Sequence, residues 1–155
     1  MKNIFEQKVY YADTDAYGVV WHGAYTKWFE AARVGLVEQL GLELEALENS
    51  GIVFPVVEMN IRYKSSAKMN ERIIIKTNIS EVKPLSVTFE HKVYEKNTNT
   101  LRVIAHTTIV VIDTKTGKMF RKMPEDMLEL FTKAQGVTWP TGSSGIPNNW
   151  TVIEN

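Results

Sequence analysis

The run from Ala24 to Gly41 constrains the fold of this chain most. Tyr25, Trp28, Phe29, Ala32, Leu36 and Leu40 recur at three- and four-residue steps. That spacing places side chains on one face of an α-helix. Lys27, Glu30, Arg33 and Glu38 fall largely on the other faces. Gly41 suits the C-terminal stop, where a left-handed residue is common. A helix with so broad an apolar face must bury it against another layer.

The stretch just before it carries chemistry. A first strand is expected over residues 4 to 11. A loop follows with two carboxylates, Asp13 and Asp15, and Gly18 permits a sharp turn or a close backbone approach. One segment therefore delivers carboxylates beside a helix N-terminus. The first N–H groups of a helix lack internal partners, and the macrodipole is positive there. Such an end can stabilise an oxyanion. A carboxylate nearby can act as nucleophile or general base. The commoner role of an Asp ahead of a helix is to cap the turn or the helix itself. The residues alone leave both roles open.

The rest of the chain reads mostly as strands. Leu42 to Asn49 suggests a short helix or helical turn. Ile52 to Tyr63 reads as a strand with Pro55 at its start or on a bulge. Lys64 to Asn70 is a polar connection. Arg72 to Val82 and Leu85 to Glu95 alternate apolar and polar residues, the pattern of half-buried strands. Asn97-Thr-Asn99 forms a hairpin loop. Leu101 to Asp113 is apolar on both faces, hence central, and a second hairpin turns at Gly117. Pro124 to Lys133 is a short helix with Met127, Leu128 and Phe131 on one face. Beyond residue 134 Gly, Pro, Ser, Thr and Asn dominate, so residues 135–155 read as an irregular tail. Its Trp139 and Trp150 suggest that part of it packs back. One long helix followed by antiparallel strands predicts a single α+β domain over residues 1–134.

Composition narrows the function. The 155 residues carry 18 basic and 18 acidic side chains and no cysteine. The charge balance gives nucleic acid or an anionic membrane no electrostatic hold. Thiol catalysis, disulfides and Cys-based metal sites are excluded. No stretch reaches a membrane-spanning length, and the N-terminus enters a strand pattern directly, without a signal-like apolar region. The expectation is a cytoplasmic protein. His22, His91 and His106 lack ligand spacing on one helix; His91 and His106 are expected on strands, hydrogen-bonded or half-exposed. Asp13-x-Asp15 alone offers too few oxygens for a cation. Ser65-x-x-Lys68 and Lys115-Thr-Gly117 are read as coincidence, because no Ser-Asp-Asn accompanies them. Gly18-x4-Gly23 continues as Ala24-Tyr25, without the phosphate lysine of a P-loop.

Asp13-Thr-Asp15-Ala-Tyr-Gly18-Val-Val-Trp-His22-Gly-Ala-Tyr25, followed by Phe29-Glu30-x-Ala32-Arg33, resembles the signature of the 4-hydroxybenzoyl-CoA thioesterase family. The likeness spans about residues 5 to 131 and is strongest in the first third. It implies the hotdog fold, a long helix wrapped by a curved antiparallel sheet of about five strands. It implies an acyl-CoA thioesterase in which Asp15 is catalytic, as nucleophile or as general base. The backbone N–H of His22 would meet the thioester carbonyl. Tyr17, Gly18, Trp21 and Tyr25 become candidates for substrate binding. Arg62, Lys64 and Lys68, with Arg121 and Lys122, become candidates for the phosphates of coenzyme A. Coenzyme A is then part of the substrate, and no metal or prosthetic group is expected. The partner would be an acyl-CoA, or an acyl carrier protein thioester, and a homo-oligomer of two or four copies is implied. A non-catalytic hotdog protein that binds an acyl thioester or serves as an assembly subunit is the rival. The chain departs from the family pattern at Tyr17, Ala24, Ser66 and the pair Met69-Asn70, which touches the acyl pocket and the nucleotide contacts.

Overall fold

The computed structural model describes residues 2–119, 123–135 and 152–154. The periodic run forms a helix, α1 (His22–Gln39), packed across a sheet. Before it lie β1 (Lys2–Lys8) and a 3-10 turn at Tyr11–Asp13. After it come α2 (Leu44–Asn49), β2 (Ile52–Val53), β3 (Val56–Tyr63), β4 (Arg72–Val82) and β5 (Ser86–Glu95). The chain continues through β6 (Leu101–Val110), β7 (Ile112–Asp113), β8 (Lys118–Met119), α3 (Glu125–Ala134) and β9 (Val152–Glu154). The main sheet runs β3-β6-β5-β4-β1-β9, with the first five strands antiparallel and β9 parallel to β1. Strands β2, β7 and β8 form a small second sheet. This is the expected α+β hotdog arrangement.

Two expected strands are each split between the sheets. Pro55 separates β2 from β3: it has no N–H to give a ladder, while its carbonyl accepts the Val110 N–H at 3.1 Å. Val111, fully buried, separates β6 from β7. The chain changes sheets there, which apolar character on both faces cannot reveal. Register shifts between Val56 and Glu58 and between Ile79 and Glu81 mark local irregularities of the kind that bend a sheet around a helix. Gly41 ends α1 with φ +88°, and the Leu42 N–H reaches back to the Val37 carbonyl at 3.3 Å. Residues 136–151 of the expected tail, with Trp139 and Trp150, lie outside the described residues, as do Arg121 and Lys122. Of the tail, Val152–Glu154 is described, as a strand.

The core has two halves. Tyr25, Trp28, Phe29 and Ala32 pack on Phe5, Ile73, Ile75, Val93 and Ala105. Leu36 and Val37 pack on Ile79, Phe89, Ile109 and the apolar face of α3. Between them runs a buried polar band of Asn3, Thr77, His91 and Thr107. Each member is satisfied, as buried polar groups must be. Asn3 Nδ2 donates to the Ala32 carbonyl at 2.9 Å. Thr77 Oγ1 lies 2.8 Å from His91 Nδ1, and Thr107 Oγ1 lies 3.3 Å from Nε2. Phe29 stacks on the imidazole at 4.8 Å.

His91 makes this band a source of pH dependence. Burial, with Arg33 and His106 adding positive charge, pushes its pKa down from 6.5 to about 3. The unfolded chain therefore binds a proton that the folded chain refuses. Stability from this group is fully present above pH 6.5 and is lost as pH falls towards 3. Replacing His91 with Asn should remove that slope. The expected result is a difference between parent and variant, in denaturant unfolding at pH 7 and pH 4, on the order of a few kcal/mol. Equal pH dependence in the two proteins would show that His91 does not titrate on unfolding.

Candidate active site

The loop between β1 and α1 is a tight hairpin built by its own residues. The Gly18 N–H donates to the Asp15 carbonyl at 3.0 Å, and the Asp15 N–H donates to the Val19 carbonyl at 2.9 Å. Gly18 takes φ +77°, a left-handed position that glycine adopts without strain. Asp15 Oδ1 accepts the Tyr17 N–H at 2.8 Å, an Asx turn, and lies 3.5 Å from the Val19 N. Asp15 is exposed, and its Oδ2 has no partner among the described residues. Asp13 is engaged differently. Its Oδ2 accepts the Tyr10 N–H at 2.8 Å and closes the 3-10 turn. Neither carboxylate caps α1.

The helix N-terminus beside this loop is uncapped. Trp21 occupies the N-cap in an extended conformation, with no side-chain cap bond. Its own N–H donates to the Asp13 carbonyl at 3.0 Å, which ties the helix start to the loop. His22 is the first helical residue, so its N–H has no acceptor within the helix, and none outside is seen among the described residues. The Trp21 indole meets the His22 ring edge-on at 5.4 Å and lies over Gly23, where a Cβ would collide with it. A side chain at position 23 would therefore displace the Trp21 ring.

Tyr17 (90 % exposed) and Trp21 (44 % exposed) are open to solvent. Tyr25 is not: it is 1 % exposed, stacked on Phe29 and met edge-on by Tyr63. Its phenol takes a backbone hydrogen bond at Ala67, and burial pushes its pKa up to about 12. Tyr25 therefore belongs to the frame under the site and not to its open surface. Arg62, at the end of β3, and Lys64 and Lys68, on the β3–β4 connection, are all exposed. Lys68 pairs with Val19 through a bridge, so this basic connection runs beside the loop.

A cavity of about 460 Å³ opens on the Asp13 side, lined by Gln7, Tyr10, Ala12, Asp13, Lys27, Trp28 and Ala31. It went unread in the sequence because it is bounded by β1, the 3-10 turn and α1 together. Its one local signal is the pair of small residues Ala12 and Ala31. Among the described residues no cluster of His, Asp and Glu is arranged to hold a metal ion. No described helix is long and apolar enough to cross a membrane.

A long helix on an antiparallel sheet, entered through a loop that exposes the Asp15 carboxylate, defines a hotdog domain. The chain belongs to the thioesterase-like superfamily, whose family model matches residues 9–131. It is 35 % identical to the acyl-CoA thioesterase YbgC of Haemophilus influenzae over 116 residues, covering 74 % of this chain and 82 % of that protein. It resembles the solved DHNA-CoA thioesterase from Staphylococcus aureus with a TM-score of 0.78 at 30 % identity, over 85 % of this chain and 89 % of that one. A solved 4-hydroxybenzoyl-CoA thioesterase shares the fold, with a TM-score of 0.74 at 24 % identity, over 83 % and 97 % of the two chains.

Proposed function

We propose that the protein is an acyl-CoA thioesterase that releases a free acid and coenzyme A. The observation that carries this reading is the exposed Asp15 carboxylate on a loop that leads directly into the uncapped N-terminus of α1 and is tied to it by the Trp21 N–H bond to the Asp13 carbonyl. The thioesterase relatives support it. The thioester oxygen accepts the His22 N–H, so that negative charge developing on it meets the positive end of the helix. In one route Asp15 takes a proton from water as the water oxygen bonds to the carbonyl carbon. The C–S bond then breaks, and the thiolate leaves with that proton. In the other route the carboxylate attacks first, expels the thiolate and forms a mixed anhydride, which water opens. Label found in Asp15 after a single turnover in ¹⁸O-water identifies the second route, with water opening the anhydride at the Asp15 carboxyl carbon. Neither route draws on a metal or a prosthetic group.

The cavity beside Asp13 suits a small or medium acyl group, with Tyr10, Trp28 and the two alanines as apolar walls. Arg62, Lys64 and Lys68 suit the phosphates of coenzyme A. We place the enzyme in the cytoplasm, where acyl-CoA is turned over. A panel of acyl-CoAs followed with a thiol reagent tests the reading directly, since the protein has no cysteine to react. Hydrolysis of small or medium acyl-CoAs is the expected result; no thiol release across the panel would refute it.

We also propose that the working form is at least a dimer. Strand β3 is the sheet edge opposite β9, and it exposes Val56, Val57 and Tyr63. An open apolar edge is a surface for pairing with a second copy. Light scattering at micromolar concentration should report a dimer or a tetramer, and a monomer would rule this assembly out.

A further inference from the structure

We infer that Glu71 and Arg102 are positioning residues: their ion pair sets the β3–β4 connection so that Ala67 fastens the Asp15 loop to the first turn of α1. The inference rests on the thioesterase reading for its catalytic consequence. Arg102 sits on β6 and reaches back to the connection. Its Nη2 lies 3.0 Å from Glu71 Oε1, and its Nη1 donates to Ser65 Oγ at 3.1 Å. Its carbonyl accepts the N–H groups of Lys64 at 2.8 Å and Ser65 at 3.1 Å. One arginine therefore holds both ends of the connection, which the forked guanidinium can do and a lysine cannot. The two side chains are less than one-fifth exposed, at 18 % and 19 %. Arg102 Nε and Glu71 Oε2 are enclosed without a partner among the described residues. Removing either charge would leave the other uncompensated in a poorly solvated place.

The connection so held grips the site loop on both sides. At its entrance the Val9 N–H donates to the Glu71 carbonyl at 2.9 Å, and the Asn70 N–H donates to the Val9 carbonyl at 2.9 Å. At its exit the Val20 N–H donates to the Ala67 carbonyl at 2.9 Å. Ala67 is fully buried, and its backbone also hydrogen-bonds the Tyr25 phenol. The carboxylate-bearing turn and the helix that carries the oxyanion donor thus share one anchor. Geometry between two reacting groups is worth much in rate: a misplacement of about 1 Å can cost on the order of a hundredfold.

The test uses the full chain with Glu71→Gln, Glu71→Asp and Arg102→Lys. Steady-state kinetics are read alongside amide hydrogen exchange at Val20. For Glu71→Gln and Arg102→Lys the expected results are a kcat about ten- to a hundredfold lower with KM little changed. Val20 exchange should rise several-fold while β5 amides keep parent rates. Glu71→Asp, which keeps the charge, should fall between parent and Glu71→Gln in both readouts. Parent-like Val20 exchange in Glu71→Gln and Arg102→Lys would overturn the inference. So would exchange raised equally in β5, which is a general loss of stability, or faster Val20 exchange with parent kcat. If the parent itself hydrolyses no acyl-CoA, the thioesterase reading fails, and the exchange arm still decides whether the pair fastens the loop.

Discussion

Asp15→Asn should abolish thioester hydrolysis while the protein melts as the parent does. The turn explains the second half. Asp15 Oδ1 accepts the Tyr17 N–H, and the amide oxygen of Asn accepts the same bond in the same Asx geometry. The side chain is exposed, so no buried charge is lost. The chemistry explains the first half. The amide is neither nucleophile nor base, and loss of acid–base assistance alone costs about a hundredfold to ten-thousandfold. Asp13→Asn should be milder in rate, because Asp13 closes the 3-10 turn by accepting the Tyr10 N–H. Parent-rate hydrolysis by Asp15→Asn with loss in Asp13→Asn would move the assignment to the other carboxylate. Full activity in both would make the loop purely structural.

His22→Pro should lower kcat about a hundred- to a thousandfold, the usual cost of removing one oxyanion donor. The substitution fits the backbone. His22 is the first helical residue, where proline is favoured and its missing N–H costs the helix no bond. Trp21 ahead of it is already extended, at φ −82° and ψ 154°, the region a residue before proline prefers. The fold is therefore expected to survive with one N–H deleted. His22→Ala is the control: it removes the imidazole and keeps the N–H, so it should stay within a few-fold of the parent. Loss in both variants alike would assign the effect to the imidazole, and activity in His22→Pro would place the oxyanion elsewhere.

Much of the site was legible because its parts are close in the chain. Asp15, Gly18 and His22 lie within eight residues, and the turn is closed by bonds among Asp15, Tyr17, Gly18 and Val19 themselves. The sequence settled less about Tyr25. Its spacing from Trp28 and Phe29 put it on the apolar face of α1, while the family resemblance made it a candidate for substrate binding. Its burial is decided by Tyr63 and Ala67, roughly forty residues downstream, which pack over it.

The sequence by itself determined the local elements: the helix from its 3.6-residue period, the strands from their two-residue period, and the turns at Gly18, Gly41 and Gly117 from a backbone that needs positive φ. These follow from interactions between neighbours in the chain. The tertiary structure alone decided the pairings that carry no such signal. It split two strands between two sheets at Pro55 and Val111, lined up Thr77, His91 and Thr107 as a satisfied band, and opened the cavity beside Asp13. It also brought Arg102 to Glu71 across 31 residues. Such contacts depend on strand register and on the path of the chain between sheets, quantities that no short window of residues contains.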